Sequence, residues 1–284
     1  MKFLAPAKLN LALRVVGQRG DGYHLLESVM VFFPWFDTLE FQVTSGEWGL
    51  TCVPTVTAVP EENLVWRAAR LLARATGTTR GVNILVHKQI PDGAGLGGGS
   101  SDAAVTMLAL NRLWGLDLPL ERLIELGVGL GADIPFFLGG RAALVRGIGE
   151  RLTWLPGPLV GELVVIFPGV SLATRSVFQA LAGRYPVRAE ALGLPTASEG
   201  IAAWLENDLE LPACALCPEI AVARAALLAR GARAALMSGS GSAVFGLFAD
   251  ADSATQAARQ LAAAHPTWRL VSGSILNEHP FLHA

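Results

Sequence analysis

Five of the seven positions from 93 to 99 are glycine, within Pro91-Asp92-Gly93-Ala94-Gly95-Leu96-Gly97-Gly98-Gly99-Ser100-Ser101-Asp102-Ala103-Ala104. Glycine has no side chain and tolerates positive φ, so such a run can turn several backbone N–H groups toward one point and cradle an anion. Behind it, Ser100, Ser101 and Asp102 are cap-type residues for a helix running through Met107, Leu108, Asn111 and Trp114. The unpaired N–H groups and the dipole at that helix start would face the same anion. In front of it, Val82, Ile84 and Val86 alternate as strand residues do. Strand, glycine loop and helix start together read as a phosphate site.

Other glycine loops fit less well. Gly93, Gly95 and Gly98 have the spacing of the dinucleotide fingerprint, but that unit needs another strand soon after its helix, and residues 118–130 read as a second helix. The lysine-bearing phosphate loop fails because Gly99 stands where the lysine belongs. A glycine run can also be merely a tight connection. A phosphate loop without its own lysine must draw positive charge from elsewhere in the chain or from a metal ion.

The surrounding elements bring further polar groups into play. Leu9, Leu11, Leu13 and Val15 alternate with Lys8, Asn10, Ala12 and Arg14, which predicts a strand with one apolar and one polar face. Lys8 and Asn10 then point the same way, about 6–7 Å apart. Gly17, Gly20, Asp21 and Gly22 make a turn before Tyr23 and His24, a pair able to stack on a ring and bond its edge. Asp133 precedes Ile134-Pro135 as the cap of a short helix, a place that does not exclude a catalytic role. Strands are predicted over 38–43, 49–53, 141–145, 163–167, 232–237, 243–248 and 268–271. Helices are predicted over 63–75, 120–130, 176–181, 202–209, 218–229 and 253–264. Leu155-Pro156-Gly157-Pro158 is the best boundary between two domains, 1–155 and 156–284, and the poorly patterned stretch 184–200 reads as a mobile loop. Ser238-Gly239-Ser240-Gly241-Ser242 forms a second glycine-serine loop.

Composition narrows the classes. The chain is 284 residues long, enough for two domains or one large one, and is 52% hydrophobic. Every long apolar run is broken by a charge or proline before bilayer length; Arg224, Arg230 and Arg233 interrupt 220–237. Lys8 and Asn10 likewise break the only early apolar segment, so no signal peptide is read and a cytoplasmic enzyme without a membrane partner is expected. With a net charge of −2 and no basic cluster, no nucleic-acid partner is expected. Cys214 and Cys217 form an isolated CxxC with no second ligand pair, and are read as packing residues; no residue is assigned as a metal ligand.

The motifs Pro6-Ala7-Lys8-Leu9-Asn10, Pro91 to Ala104 and Ser238 to Ser242, in that order and spacing, resemble the GHMP kinases, small-molecule ATP kinases that include galactokinase, homoserine kinase and mevalonate kinase. The resemblance covers nearly the whole chain. It implies an α+β, two-domain fold with the active site in the interdomain cleft, ATP and Mg²⁺ as cofactors, and a small-molecule acceptor. Gly17 to His24, Leu130 to Phe137 and Asn207-Asp208-Leu209-Glu210 narrow it to the branch acting on the 2-hydroxyl of a cytidine diphosphate-linked methylerythritol in the non-mevalonate isoprenoid pathway. Carried over to matching positions, it implies Asp133 as the base beside Lys8 and residues 91–101 as the ATP phosphate loop. It places Asn63 and Lys88 near the adenine, and Ser100 or Ser101 on Mg²⁺ or a phosphate oxygen. Asn10 falls at the erythritol and Tyr23 stacked on cytosine, with His24 on the base edge. Phe178, preceded by Thr174, closes the sandwich, and Gly239, Ser240 and Gly241 lie near the substrate phosphates. A kinase for another small alcohol, or a GHMP-like ATP sensor that transfers nothing, are the alternatives.

Overall fold

The architecture was taken from a computed structural model, which describes residues 1–283 except 56, 58, 182–184, 187, 189 and 195–199. Two long strands organise the first half: β1 (Lys2–Gln18) and β2 (His24–Thr44) pair antiparallel along nearly their whole length. They are followed by β3 (Trp48–Val53), α1 (Leu64–Thr76), β4 (Gly81–His87), α2 (Gly98–Leu113), α3 (Leu120–Val128), α4 (Ile134–Gly139), β5 (Ala143–Gly147) and β6 (Arg151–Trp154). The second half contains β7 (Glu162–Phe167), α5 (Thr174–Leu181), β8 (Glu206–Asn207), α6 (Glu210–Leu216), α7 (Glu219–Ala229), β9 (Ala234–Met237), β10 (Val244–Phe248), α8 (Ala251–Ala264) and β11 (Arg269–Ser274). The first sheet runs β3-β4-β2-β1-β8, with β5 paired to β2 and β6 to β5; the second, all antiparallel, runs β11-β7-β10-β9.

Three apolar layers hold these pieces. The first lies between the larger sheet and α1 to α4, with Leu72, Met107, Leu110 and Phe136 fully buried. The second lies between the two sheets, and the third joins the smaller sheet to α5 to α8. Strand β7 shows how alternation serves both: Leu163, Val165 and Phe167 enter the sheet-to-sheet layer, whereas Val164 and Ile166 face the helices. The chain changes sheets between β6 and β7, at the Pro-Gly stretch, but crosses back. Strand β8 lies parallel to β1, and Leu276 and Glu278 bridge to Phe32 and Arg141.

Strand β1 departs from the simple alternation expected of it. Leu9 and Leu11 enter the sheet-to-sheet layer, but Leu13 and Val15 enter the layer with the second-half helices. The cause is a register shift: Asn10 pairs with Met30 and Ala12 with Val29, so Leu11 is an extra residue that turns the following side chains to the other face. Leu13 thereby joins Lys8 and Asn10 on the face that lines the cleft.

Other expectations are corrected in the same way. The helix expected over 202–209 is a short 3-10 turn, Ile201–Trp204, then β8, because the chain there pairs with the edge of β1. Helix α6, not anticipated, follows at once. The strand expected at 38–43 is the last third of β2. Helix α2 is not capped by Ser100, Ser101 or Asp102; its cap position is Gly97, which has a left-handed φ of 71° and no side chain to cap with. Of the stretch 184–200, residues 184, 187, 189 and 195–199 lie outside the described residues. Within the remainder Leu192 is buried: its N–H donates to Glu27 and its carbonyl accepts from Arg146.

Candidate active site

A cleft of about 1050 Å³ opens where the larger sheet, the glycine loop and the second half meet. That volume is at the upper end of the range for ligand pockets, about 300–1,000 Å³.

The glycine loop forms one wall, and its peptide orientation is set by its tethers. The carbonyls of Gly93, Ala94 and Leu96 accept from Leu172, Ala243 and Lys8, each within 3.0 Å. In a trans peptide the C=O and the next N–H point in opposite directions, so tying these carbonyls into the protein body turns the amides of Ala94, Gly95 and Gly97 toward the cleft, which all three residues line. Gly95 has no substitute here: its φ is +75°, and an added Cβ would stand 2.1 Å from the Ser238 carbonyl. The second glycine loop thus rests directly on the first. Ser238 Oγ also donates to the Gly95 carbonyl, and Asn207 Nδ2 donates to the carbonyls of both Met237 and Gly239. Gly239 and Ser240 face the cleft, whereas Gly241 turns inward against Met237 and Ile220.

The floor carries the reactive pair. Lys8 is only 4% exposed; its Nζ donates to Asn10 Oδ1 at 2.5 Å and stands 3.8 Å from Asp133 Oδ2. Burial lowers the Lys8 pKa, and the neighbouring Asp133 carboxylate pulls the other way. Asn10 is fixed in turn, donating from Nδ2 to Ser28 Oγ at 2.8 Å. Asp133 occupies the cap position of α4, yet its side chain makes no capping bond, so the carboxylate stays turned to the cleft. Ser100 lines the cleft with its Oγ toward Gly131, in the turn that carries Asp133; Ser101 is wholly buried and its Oγ has no partner among the described residues.

The far end is aromatic. Tyr23, 60% exposed, stands at the mouth beside His24 and Phe178. Phe178 lines the same end of the cleft as Tyr23. It stacks on His24 with ring centroids 4.7 Å apart, because α5 presents it to the first residue of β2. Desolvation lowers the His24 pKa, which favours a neutral imidazole with one donor and one acceptor. Thr174 Oγ1 is 2.9 Å from Ser240 Oγ and pins the start of α5 to the second glycine loop.

Two of the residues expected near the adenine bond within the protein itself. Lys88 is buried behind the glycine loop, its Nζ between Asp37 Oδ2 and, at 2.7 Å, Asp102 Oδ2. Its two carboxylates raise its pKa despite burial. Asn63 caps α1, accepting from Val65 N at 2.9 Å. Neither they, nor Leu96, Ser101 and Gly241, line the cleft, while the remaining residues of the expected site do. Pattern reading missed Asp37, whose Oδ1 accepts from the amides of Gln89 and Ile90 and so anchors the entry to the loop. It also missed Asn207, Ser28 and Arg175; the Asn-Asp-Leu-Glu motif was the one available signal for Asn207. Cys214 and Cys217 are held as thiols, the latter pushed up to about 11 by burial and by Glu219.

Residues 63–141 match the GHMP kinases N terminal domain and residues 193–267 the GHMP kinases C terminal domain. The chain belongs to the GHMP kinase family. It is 46% identical over 282 residues, covering 97% of this chain and 94% of the relative, to the 4-diphosphocytidyl-2-C-methyl-D-erythritol kinase of Methylibium petroleiphilum. The enzyme of the same name from Variovorax paradoxus is 43% identical over 289 residues, covering 97% of this chain and 95% of its own. A crystal structure of 4-(cytidine 5'-diphospho)-2C-methyl-D-erythritol kinase matches with a TM-score of 0.80 at 41% identity, over 97% of this chain and 99% of that one. A mevalonate kinase shares the fold alone, with a TM-score of 0.69 at 13% identity.

Proposed function

We propose that this chain is a two-domain enzyme, 1–155 and 156–284, that transfers the γ-phosphoryl group of ATP to the 2-hydroxyl of 4-diphosphocytidyl-2-C-methyl-D-erythritol. The carrying observation is that one cleft holds an amide cradle, a carboxylate and an ammonium 3.8 Å apart, and an aromatic cluster at its far end. Such a cleft suits a nucleoside-linked alcohol better than homoserine or mevalonate, which have no ring for Tyr23, His24 and Phe178 to hold. Phosphoryl transfer depends chiefly on positioning and on stabilising charge. The amides of the glycine loop and the start of α2 grip the triphosphate. Asp133 accepts the proton of the attacking hydroxyl. Lys8, kept in place by Asn10, offsets charge on the transferred group.

The Ser100 hydroxyl, open to the cleft at the start of α2, fits one contact to Mg²⁺, an ion that takes few protein ligands and relies on substrate phosphates and water. When bound, Mg²⁺ neutralises charge on the nucleotide phosphates. A cytoplasmic site of action is part of this proposal; among the described residues no single helix is long and apolar enough to cross a membrane.

The test is a substrate panel: ADP release with the cytidylyl methylerythritol, free methylerythritol, homoserine and mevalonate. Turnover confined to the first supports this reading. Turnover of a free alcohol at equal kcat/KM argues for another small-molecule kinase, and tight ATP binding without transfer to any acceptor argues for a sensor.

A further inference from the structure

Lys8 and Arg175 are the lysine and arginine residues among those described as lining the cleft, and only Lys8 has a role so far. Arg175 is exposed and makes no hydrogen bond or ion pair with any described residue. An unpaired surface arginine is ordinary by itself. Its place on α5 is what gives it meaning. The chain entering α5 is tied to the phosphate loop, since Leu172 N donates to the Gly93 carbonyl at 2.9 Å and Ser171 Oγ to that of Asp92 at 2.6 Å. Thr174 is bonded to the second glycine loop, and Phe178 stacks on His24. Arg175 and Phe178, three apart on one helix, are neighbours on its surface. Arg175 therefore stands between the glycine loops, where the phosphoryl group moves, and the aromatic cluster, where a base would rest.

In a nucleoside diphosphate-linked alcohol, what lies between the base and the reacting hydroxyl is a diphosphate. We propose that Arg175 binds that diphosphate and makes the enzyme prefer the nucleotide-linked alcohol to a free one. The inference rests on the proposed function and adds a specificity residue to it. Guanidinium presents a planar fork of donors that matches phosphate oxygens, and an arginine with no competing carboxylate among the described residues keeps them for the ligand. The ATP phosphates already have the amide cradle and the start of α2. The acceptor's diphosphate, by contrast, has no other lysine or arginine besides Lys8 among the described residues of the cleft lining.

The experiment compares Arg175→Ala, Arg175→Gln and Arg175→Lys in the full-length enzyme. Steady-state kinetics should show the KM for the cytidylyl substrate rising about ten- to hundredfold in the Ala and Gln variants and less in the Lys variant, with the KM for ATP within about twofold. Calorimetry with CDP and with cytidine adds a probe that needs no turnover: the wild-type protein should prefer CDP, and Arg175→Gln should abolish the preference while leaving cytidine binding intact. Unchanged KM in all three variants overturns the proposal, as does an equal rise in the KM for ATP, which would assign Arg175 to the triphosphate. Should the Ala variant fold poorly, the Gln and Lys variants decide. A wild-type enzyme that neither binds CDP nor turns over the cytidylyl substrate would overturn the functional reading itself, and this inference with it.

Discussion

Nζ of Lys8, on β1, lies 3.8 Å from Oδ2 of Asp133, at the start of α4. One side chain is almost fully buried and the other a third exposed, so the pair is anchored from below and open to the cleft above. Asn10 holds the ammonium from the other side, and the absence of a capping bond leaves the carboxylate available.

Removing either member should therefore reduce chemistry more than binding. Asp133→Asn is expected to lower kcat by about 10²- to 10⁴-fold, the range for a general base, with the KM for ATP little changed. Lys8→Ala should also reduce kcat strongly. Coupled ADP-release assays measure both, and near-normal turnover in a folded Asp133→Asn enzyme would refute the assignment.

The glycines of the loop should differ sharply in tolerance. Gly95→Ala forces a side chain into a positive-φ position and onto the Ser238 carbonyl, and should cost about 1–3 kcal/mol or more of stability. Gly99→Ala has its nearest neighbour at 3.6 Å, within a helix, and should be neutral or stabilising by about 0.5–1 kcal/mol. Thermal unfolding of the two variants side by side makes the comparison; equal losses would contradict the packing described for Gly95.

The buried triad behind the loop should give a pH signature. Burial pushes the Asp102 carboxyl up to about 7 against the attraction of Lys88, and Asp37 adds like-charge repulsion. A carboxyl that holds its proton to higher pH in the folded state stabilises the fold in acid, and that contribution is lost as pH rises from the ordinary carboxylate range through about 7. Asp102→Asn should flatten this part of the stability profile and be neutral or stabilising at pH 8. Lys88→Met, which removes the cation paired with buried Asp37 and Asp102, should destabilise by about 3–5 kcal/mol. Denaturant titrations from pH 4 to pH 8 supply the readout, and a wild-type stability that rises steadily across that window would exclude the account.

At the aromatic end, Phe178→Ala should weaken binding of the cytidylyl substrate by about 1–3 kcal/mol, the worth of stacking on one base, and spare ATP. Since desolvation already favours neutral His24, that affinity should be nearly constant between pH 7 and pH 8. Isothermal titration with CDP would test both points.

What the sequence determined by itself was mostly local. A strand, a glycine run and an apolar helix pattern within residues 82 to 114 specify their own backbone, because positive φ, alternation and helical periodicity each depend on neighbours a few positions away. The resemblance of separated motifs added Asp133 and the aromatic residues, which no periodicity could connect. Tertiary structure decided which groups meet. It took Lys88 into a buried pair of carboxylates, made Asn63 a cap, and used one extra residue at Leu11 to turn Leu13 from the expected apolar face into the cleft. It also stacked Phe178 on His24 and left Arg175 without a partner among the described residues. Those outcomes turn on the burial of charge and on strand register across the sheets, and both are set by residues far apart in the chain, whose proximity no local pattern encodes.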